Sequence, residues 1–283
     1  MTRLEARTDI ANVDAQLLRQ QFAAVLQQQQ SLASAAVVLG QCSDTPSTAF
    51  FFAYQLAVRH LDECLQDDEF AAFAASESGV RSSRDYTTQL HSDGVRQSVS
   101  GVKSHVMLMA SGLIDYLYVL ANDEEQHLSC AKVASVSSGV LAEPTGKAQP
   151  FVCDVPHTPV RLDAVEVVPG GVTADAHKRC FKPFRYWEDV MVLLAFSGWM
   201  VTHADDEAEP LLHAESQRLI DSYERSPGYY QPETFSIMDG VITTLQQTSS
   251  YLSDDQRLLW QRDSRLLQLG SAARAAVQKK LTG

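Results

Sequence analysis

The chain has 283 residues, 45% hydrophobic and 20% charged, which excludes wholesale disorder and collagen-like repetition and leaves enough apolar matter for a sizeable core. Lysine plus arginine number 23 against 35 aspartate plus glutamate, a net charge of −12, and phosphate contacts need clustered cations, so general nucleic-acid binding is disfavoured. The longest apolar run of the C-terminal half, Val190 to Phe196, falls far short of the roughly 20 residues of a membrane span; Met1 to Asp14 show no secretory signal, and five cysteines without a framework suit reduced thiols in a cytoplasmic protein.

The first part of the chain is predicted helical. Val13, Leu17, Leu18, Phe22, Val25 and Leu26 recur at helical spacing, and the pattern stops near Gly40. The glutamine run Gln27 to Gln30 reads as a solvated helix face. Thr45-Pro46 reads as an N-cap with proline in the first turn, and Phe51, Tyr54, Val58, Leu61 and Leu65 continue one face of a second helix.

From about Phe70 to Val168 the period changes to short β-rich runs. Tyr86 to Leu90 and Val95 to Val99 flank His91-Ser92-Asp93-Gly94, a hairpin signal with Asp-Gly at its centre. Further strands are predicted at His105 to Met109, Tyr116 to Leu120, His127 to Val133, Phe151 to Val155 and Val160 to Val168, with a loop over Ala134 to Gln149. Strands at this spacing predict an antiparallel sandwich or barrel.

The third part is helical again. Trp187 to Trp199 is densely apolar and should be a buried helix; Leu211 to Tyr223 is a second, ended by Ser226-Pro227-Gly228; Pro232 starts a third running to about Tyr251. Ser253 and Gln256 form a capping-box pattern opening a fourth. This last helix carries Leu259, Leu266, Gly270, Ala273, Val277 and Leu281 on one face. The small residues of Gly270 to Ala276 imply that another helix or a ligand approaches it closely.

Several linked segments resemble the acyl-CoA dehydrogenase family. Gly101-Val102-Lys103-Ser104-His105-Val106-Met107 followed by Ile114-Asp115-Tyr116 is similar to a stretch of the family's middle β domain. Phe73 to Gly79 resembles the segment that in the family lies against flavin and thioester, and Val160 to Val167 resembles the strand closing that domain. Lys182 to Asp189 resembles the entry to the first C-terminal helix, and Leu259-Trp260-Gln261-Arg262-Asp263 the opening of a late helix. The resemblance covers roughly Phe70 to Leu281. It implies an α+β fold: a shortened N-terminal helical domain (1–69), a central antiparallel β-barrel or sandwich (70–180) and a C-terminal four-helix bundle (181–283).

It also implies FAD-dependent oxidation of an acyl-CoA or related acyl thioester in fatty acid metabolism, by a homo-oligomer or a hetero-oligomer with another family member. A carboxylate base removes the α-proton while the flavin carries the hydride chemistry. The family's commoner base lies in a late helix, where Leu266 to Gly270 offer no Glu. The less common place falls on Glu188, which is therefore the candidate catalytic residue, a helix-terminal salt bridge being the plainer reading of the same side chain. Cofactor-binding candidates are Ser76, Glu77, Ser78, His105, Val106 and Met107; Ser76 and Ser78 also suit ordinary turn chemistry. His105 stands where the family usually has an aromatic, and Met107 where it has Thr. The absent late-helix Glu motivates the alternative of a non-catalytic family-like subunit or partner protein. His127/Cys130, Cys153/His157 and His177/Cys180 look like metal pairs but lack the paired Cys-x-x-Cys of a zinc site, so no metal is expected. The cluster Phe181, Phe184, Tyr186 and Trp187 suits core or interface.

Overall fold

A computed structural model describes residues 10, 14–80, 82, 85–144 and 149–282. Val13 and part of the expected loop Ala134 to Gln149 lie outside the described residues. The chain forms two compact units. One takes Met1–Ala57, Pro150–Val155 and Arg185–Gly283; the other takes Val58–Gln149 and Pro156–Phe184.

In the first unit the expected N-terminal helix is two helices. Asp14 caps α1 (Ala15–Gln28) by accepting from the Gln16 and Leu17 amides, and Gln29 then turns extended. Ser31 and Ser34 form a capping box that restarts the helix as α2 (Leu32–Gln41), so the glutamine run is a helix end and not a continuous face. The helix ends at Gln41, one residue past Gly40, as the pattern predicts. Gly40 lies inside α2, and a Cβ there would overlap the carbonyl of Ala195, just as a Cβ at Gly198 would overlap that of Val37. Those two glycines let α2 lie against α4 (Lys182–His203) backbone to backbone, which is why the first and last parts of the chain share one unit.

Thr45 caps α3 (Pro46–Val58), its Oγ1 accepting from the Thr48 amide at 3.1 Å. Leu61 and Leu65 lie beyond its end, in turns. The remaining helices are α5 (Glu209–Arg225), α6 (Pro232–Thr248), α7 (Asp254–Asp263, with the Ser253–Gln256 capping box), α8 (Leu266–Leu269) and α9 (Ser271–Thr282). The predicted single last helix is thus broken into three. Of its small residues Gly270 is buried, while Ser271, Ala272, Ala275 and Ala276 are exposed.

Phe151 to Val155 is not a strand. Asp263, fully buried, accepts from Ser47 Oγ (2.8 Å), the Val152 amide (2.7 Å) and Arg262 Nε (2.7 Å), and Arg262 also reaches Asp154 (3.0 Å). These bonds hold Val152 at φ 43°, in the left-handed region that a β-branched residue otherwise avoids. Arg262-Asp263 therefore serves to tie this segment to α3 and α7.

The second unit is one mixed sheet ordered β6-β7-β3-β2-β4-β5-β8, with β1 added on β4. The hairpin expectation holds: β2 (Gln89–Ser92) pairs antiparallel with β3 (Gln97–Met107), Ser92 opposite Gln97, across a turn with Gly94 at φ 85°. The separately expected Val95 to Val99 and His105 to Met109 are the two ends of this one strand. β4 (Tyr116–Asn122) pairs antiparallel with β5 (Leu128–Ala134), and β3 pairs antiparallel with β7 (His157–Glu166). The sheet is not purely antiparallel, because β1 (Ala71–Ala74) pairs parallel with β4. The expected loop contains β6 (Val140–Ala142), and β8 (Val172–Thr173) adds an edge. Among the described residues no helix is long and apolar enough to cross a membrane.

Candidate functional site

In the helical unit, α4 is buried on nearly all sides from Val190 to Trp199, so the few polar groups at its start are conspicuous. Arg185, Glu188 and Asp189 face a cleft of about 170 Å³, walled by Val192 and Leu193 and, across it, by the leucines of α8. Glu188 keeps 24% of its side chain exposed, and among the described residues its ionic partner is Arg185 on the same helix, 3.7 Å away. No hydrogen-bond donor reaches its carboxylate among the described residues. Burial raises its pKa to about 7, with Arg185 pulling down and Asp189 pushing up.

Asp189 behaves differently. Arg274 Nη1 donates to its Oδ1 at 3.0 Å and the Tyr230 hydroxyl donates to Oδ2. Burial still holds its pKa above the ordinary value, against both donors. Arg274 also donates to the Leu267 carbonyl at 2.8 Å. None of Asp189, Tyr230 and Arg274 was expected from sequence. Two adjacent acids opening an apolar helix were the available signal, but Arg274 stands 85 residues away.

In the β unit, side chains alternate along the candidate cofactor segments. Ser76 and Ser78 are exposed while Glu77 between them is buried. The Ser104 amide donates to the Ser76 carbonyl at 2.9 Å, placing the end of β1 beside β3. His105 is exposed, with Nδ1 2.9 Å from Ser104 Oγ. Val106 and Met107 are buried and pair with Thr158 and His157.

Glu77 is fully engaged. Its carboxylate accepts from Lys103 Nζ (2.8 Å), from the Thr87 amide and hydroxyl (2.7 and 2.8 Å) and from the Thr88 amide and hydroxyl (3.2 and 2.7 Å). These donors, Lys103 first, outweigh burial and hold its pKa at about 2. Five donors exhaust a carboxylate, so Glu77 can meet a ligand only through its main chain. Lys103 lies below its usual range because burial outweighs the pairing with Glu77.

His127 and Cys130 do not come together. Cys130 is buried against Cys180, and the two thiols hydrogen-bond each other, whereas His127 is 73% exposed beside Asp123 and Glu125. Those three surface groups could gather round an ion, but exposed acids in a turn commonly do so without one. A larger hollow of about 320 Å³ at the β2–β3 tip mixes Arg96 and His91 with Asp93 and Glu166, and holds no buried titratable group. Of the expected aromatic cluster, Phe184, Tyr186 and Trp187 are buried and Phe181 is exposed.

No known protein family and no curated protein matches the chain. Solved structures do. "FkbI for Biosynthesis of Methoxymalonyl Extender Unit of Fk520 Polyketide Immunosuppresant" superimposes with a TM-score of 0.65 at 17% identity, covering 94% of this chain and 91% of that one. A glutaryl-CoA dehydrogenase from Mycobacterium smegmatis in complex with FADH2 matches at 0.58 and 14%, over 87% and 78%. The prolyl acyl carrier protein oxidase AnaB matches at 0.57 and 14%, over 96% and 85%. At these identities the likeness concerns the fold, and the fold of this chain is that of the acyl-CoA dehydrogenase-like flavoproteins.

Proposed function

We propose that the protein is a flavoprotein oxidising an acyl-CoA or related acyl thioester, with Glu188 as the base that takes the α-proton. The observation that carries this reading is Glu188 itself: a carboxylate that receives no hydrogen bond among the described residues, at the edge of a cleft walled by Val192, Leu193 and the α8 leucines, with a pKa of about 7. A base of that strength is about half ionised at neutral pH and gains driving force over an ordinary glutamate. Val192 and Leu193, both buried, form the apolar wall beside it on the same helix. Arg185 at the mouth gives the ionised form a partner without a direct hydrogen bond.

The β unit suits FAD in its donor set. Ser76, Ser78 and His105 turn polar side chains outward, and the main chain of Val106 and Met107 would complete the contact while Glu77 stays inside. FAD, when bound, supplies the acceptor for the β-hydrogen. Neighbours of the same fold are described with FAD or FMN, or as acting on CoA or carrier-protein thioesters, which supports this substrate class. The five free thiols suit a cytoplasmic setting and an oligomer without disulfides.

The flavin spectrum of the purified protein tests the reading. A yellow protein, or one that takes up FAD on titration, is expected. A colourless protein that takes up none refutes it and leaves a non-catalytic subunit of the same fold.

A further inference from the structure

We propose that Asp189 is the positioning residue of the cleft: clamped by Arg274 and Tyr230, it fixes the α8 wall opposite Glu188 and sets the charge beside that carboxylate. The inference deepens the reading of Glu188 as base and rests on it for its meaning in turnover, though not for its test.

The geometry is that of a clasp. Asp189 follows Glu188 on α4, and its Oδ1 takes Arg274 Nη1 from α9 at 3.0 Å. The second arm of the same guanidinium, Nη2, donates to the Leu267 carbonyl of α8 at 2.8 Å. One side chain therefore spans α9, α8 and α4. The side chains of the pair are 11% and 10% exposed, so water does little to loosen it. Gly270 makes room: a Cβ there would run into Arg274 Nη1 and lie 3.1 Å from Asp189 Oδ1. The Arg274 amide closes the turn by donating to the Gly270 carbonyl at 2.9 Å. Leu266, Leu267 and Leu269, the far wall of the cleft, all sit on the piece so held.

The charges around Glu188 are few. Its own helix presents Arg185 and Asp189; α8 presents leucines; α9 presents Arg274; and Tyr230, just before α6, arrives through Asp189. Asp189 is the anion among them, and its charge opposes ionisation of Glu188.

The test uses the purified full chain with glutamate side-chain carboxyl carbons labelled with 13C, and Glu188→Gln identifies the Glu188 signal. Asp189→Asn should lower the Glu188 titration midpoint by about one unit, a tenfold change in proton affinity, and speed hydrogen exchange across Leu266 to Gly270 by about tenfold or more. Arg274→Lys keeps a cation at Asp189 but loses the second arm. It should therefore speed exchange in the same segment and leave the midpoint within a few tenths of a unit. An unchanged midpoint in a folded Asp189→Asn protein overturns the proposal, as does unaltered exchange of the α8 segment in Arg274→Lys. If Asp189→Asn does not fold, the Arg274→Lys exchange decides. Neither reading needs turnover, so a Glu188→Gln protein that still oxidised thioesters would remove the base assignment while leaving this test intact.

Discussion

Replacing Glu77 by Gln removes the charge from a carboxylate with five donors and 3% side-chain exposure, leaving a fully buried Lys103 without its anion. Breaking one half of such a pair costs about 3–5 kcal/mol. The pH dependence is more diagnostic. The folded-state pKa is about 2 against 4.5 for the free group, so Glu77 binds protons more readily when the chain unfolds. Its stabilisation is complete above about pH 5 and is lost as pH falls through 4.5 towards 2. The shift corresponds to about 3 kcal/mol at pH 6, of which about 1 kcal/mol disappears by pH 3.5. All three tryptophans, Trp187, Trp199 and Trp260, belong to the helical unit. Urea unfolding of the β unit should therefore be followed by hydrogen exchange of the β3 and β4 amides, with tryptophan fluorescence reporting the other unit. Glu77→Gln should lower the first transition and flatten its change between pH 6 and pH 3.5. A variant that kept the wild-type slope, or lost under about 1 kcal/mol at pH 6, would refute this account of Glu77.

Gly198→Ala drives a methyl into the Val37 carbonyl and forces α2 and α4 apart, so thermal unfolding followed by tryptophan fluorescence should show a loss of about 3 kcal/mol or more, as for backbone-level overpacking. Asp263→Ala strips acceptors from Ser47, Val152 and Arg262 at a fully buried site; a loss of about 3–5 kcal/mol is expected, with new proteolytic cutting near Phe151 to Val155. For Glu188 the sign is reversed: its folded pKa of about 7 lies above the ordinary 4.5, so its ionisation erodes stability as pH rises through that window. Glu188→Gln should stabilise the helical unit at pH 8 by about 2 kcal/mol, a figure reduced for the quarter of the side chain open to water, while dye-coupled turnover falls about 10²–10⁴-fold. A Glu188→Gln protein with unchanged turnover clears Glu188 of the role.

Legibility in the sequence followed the strength of the local signal. The apolar density from Val190 to Trp199 announces α4, Asp93-Gly94 announces the β2–β3 hairpin, and Ser253 with Gln256 announces α7. Ala71–Ala74 escaped because a fully buried strand of three alanines and a phenylalanine has neither alternation nor β-branched residues. β3 was split in two because Lys103 breaks its apolar pattern, although that lysine is buried against Glu77. Phe151 to Val155 has strand composition, but Asp263 claims the Val152 amide from 111 residues away. Glu188 was legible from its place on an apolar helix. The Asp189–Arg274 clasp was not, since no periodicity relates residues 85 apart.

Three acids of this chain undergo the same first influence and end in different states. Burial pushes Glu77, Asp189 and Glu188 all towards the protonated form. What separates them is the number of donors the fold brings to each. Glu77 receives five hydrogen bonds and falls to about 2, fixed as a structural anion within the β unit. Asp189 receives Arg274 and Tyr230, which hold its carboxylate in place without overcoming burial. Glu188 receives no hydrogen bond among the described residues and only a distant guanidinium, and rises to about 7. A group that must pick up a proton and give it away in each cycle cannot be tied by donors that its protonation would strand. On that ground Glu188 can serve as the base, and Asp189, one residue along the same helix, cannot.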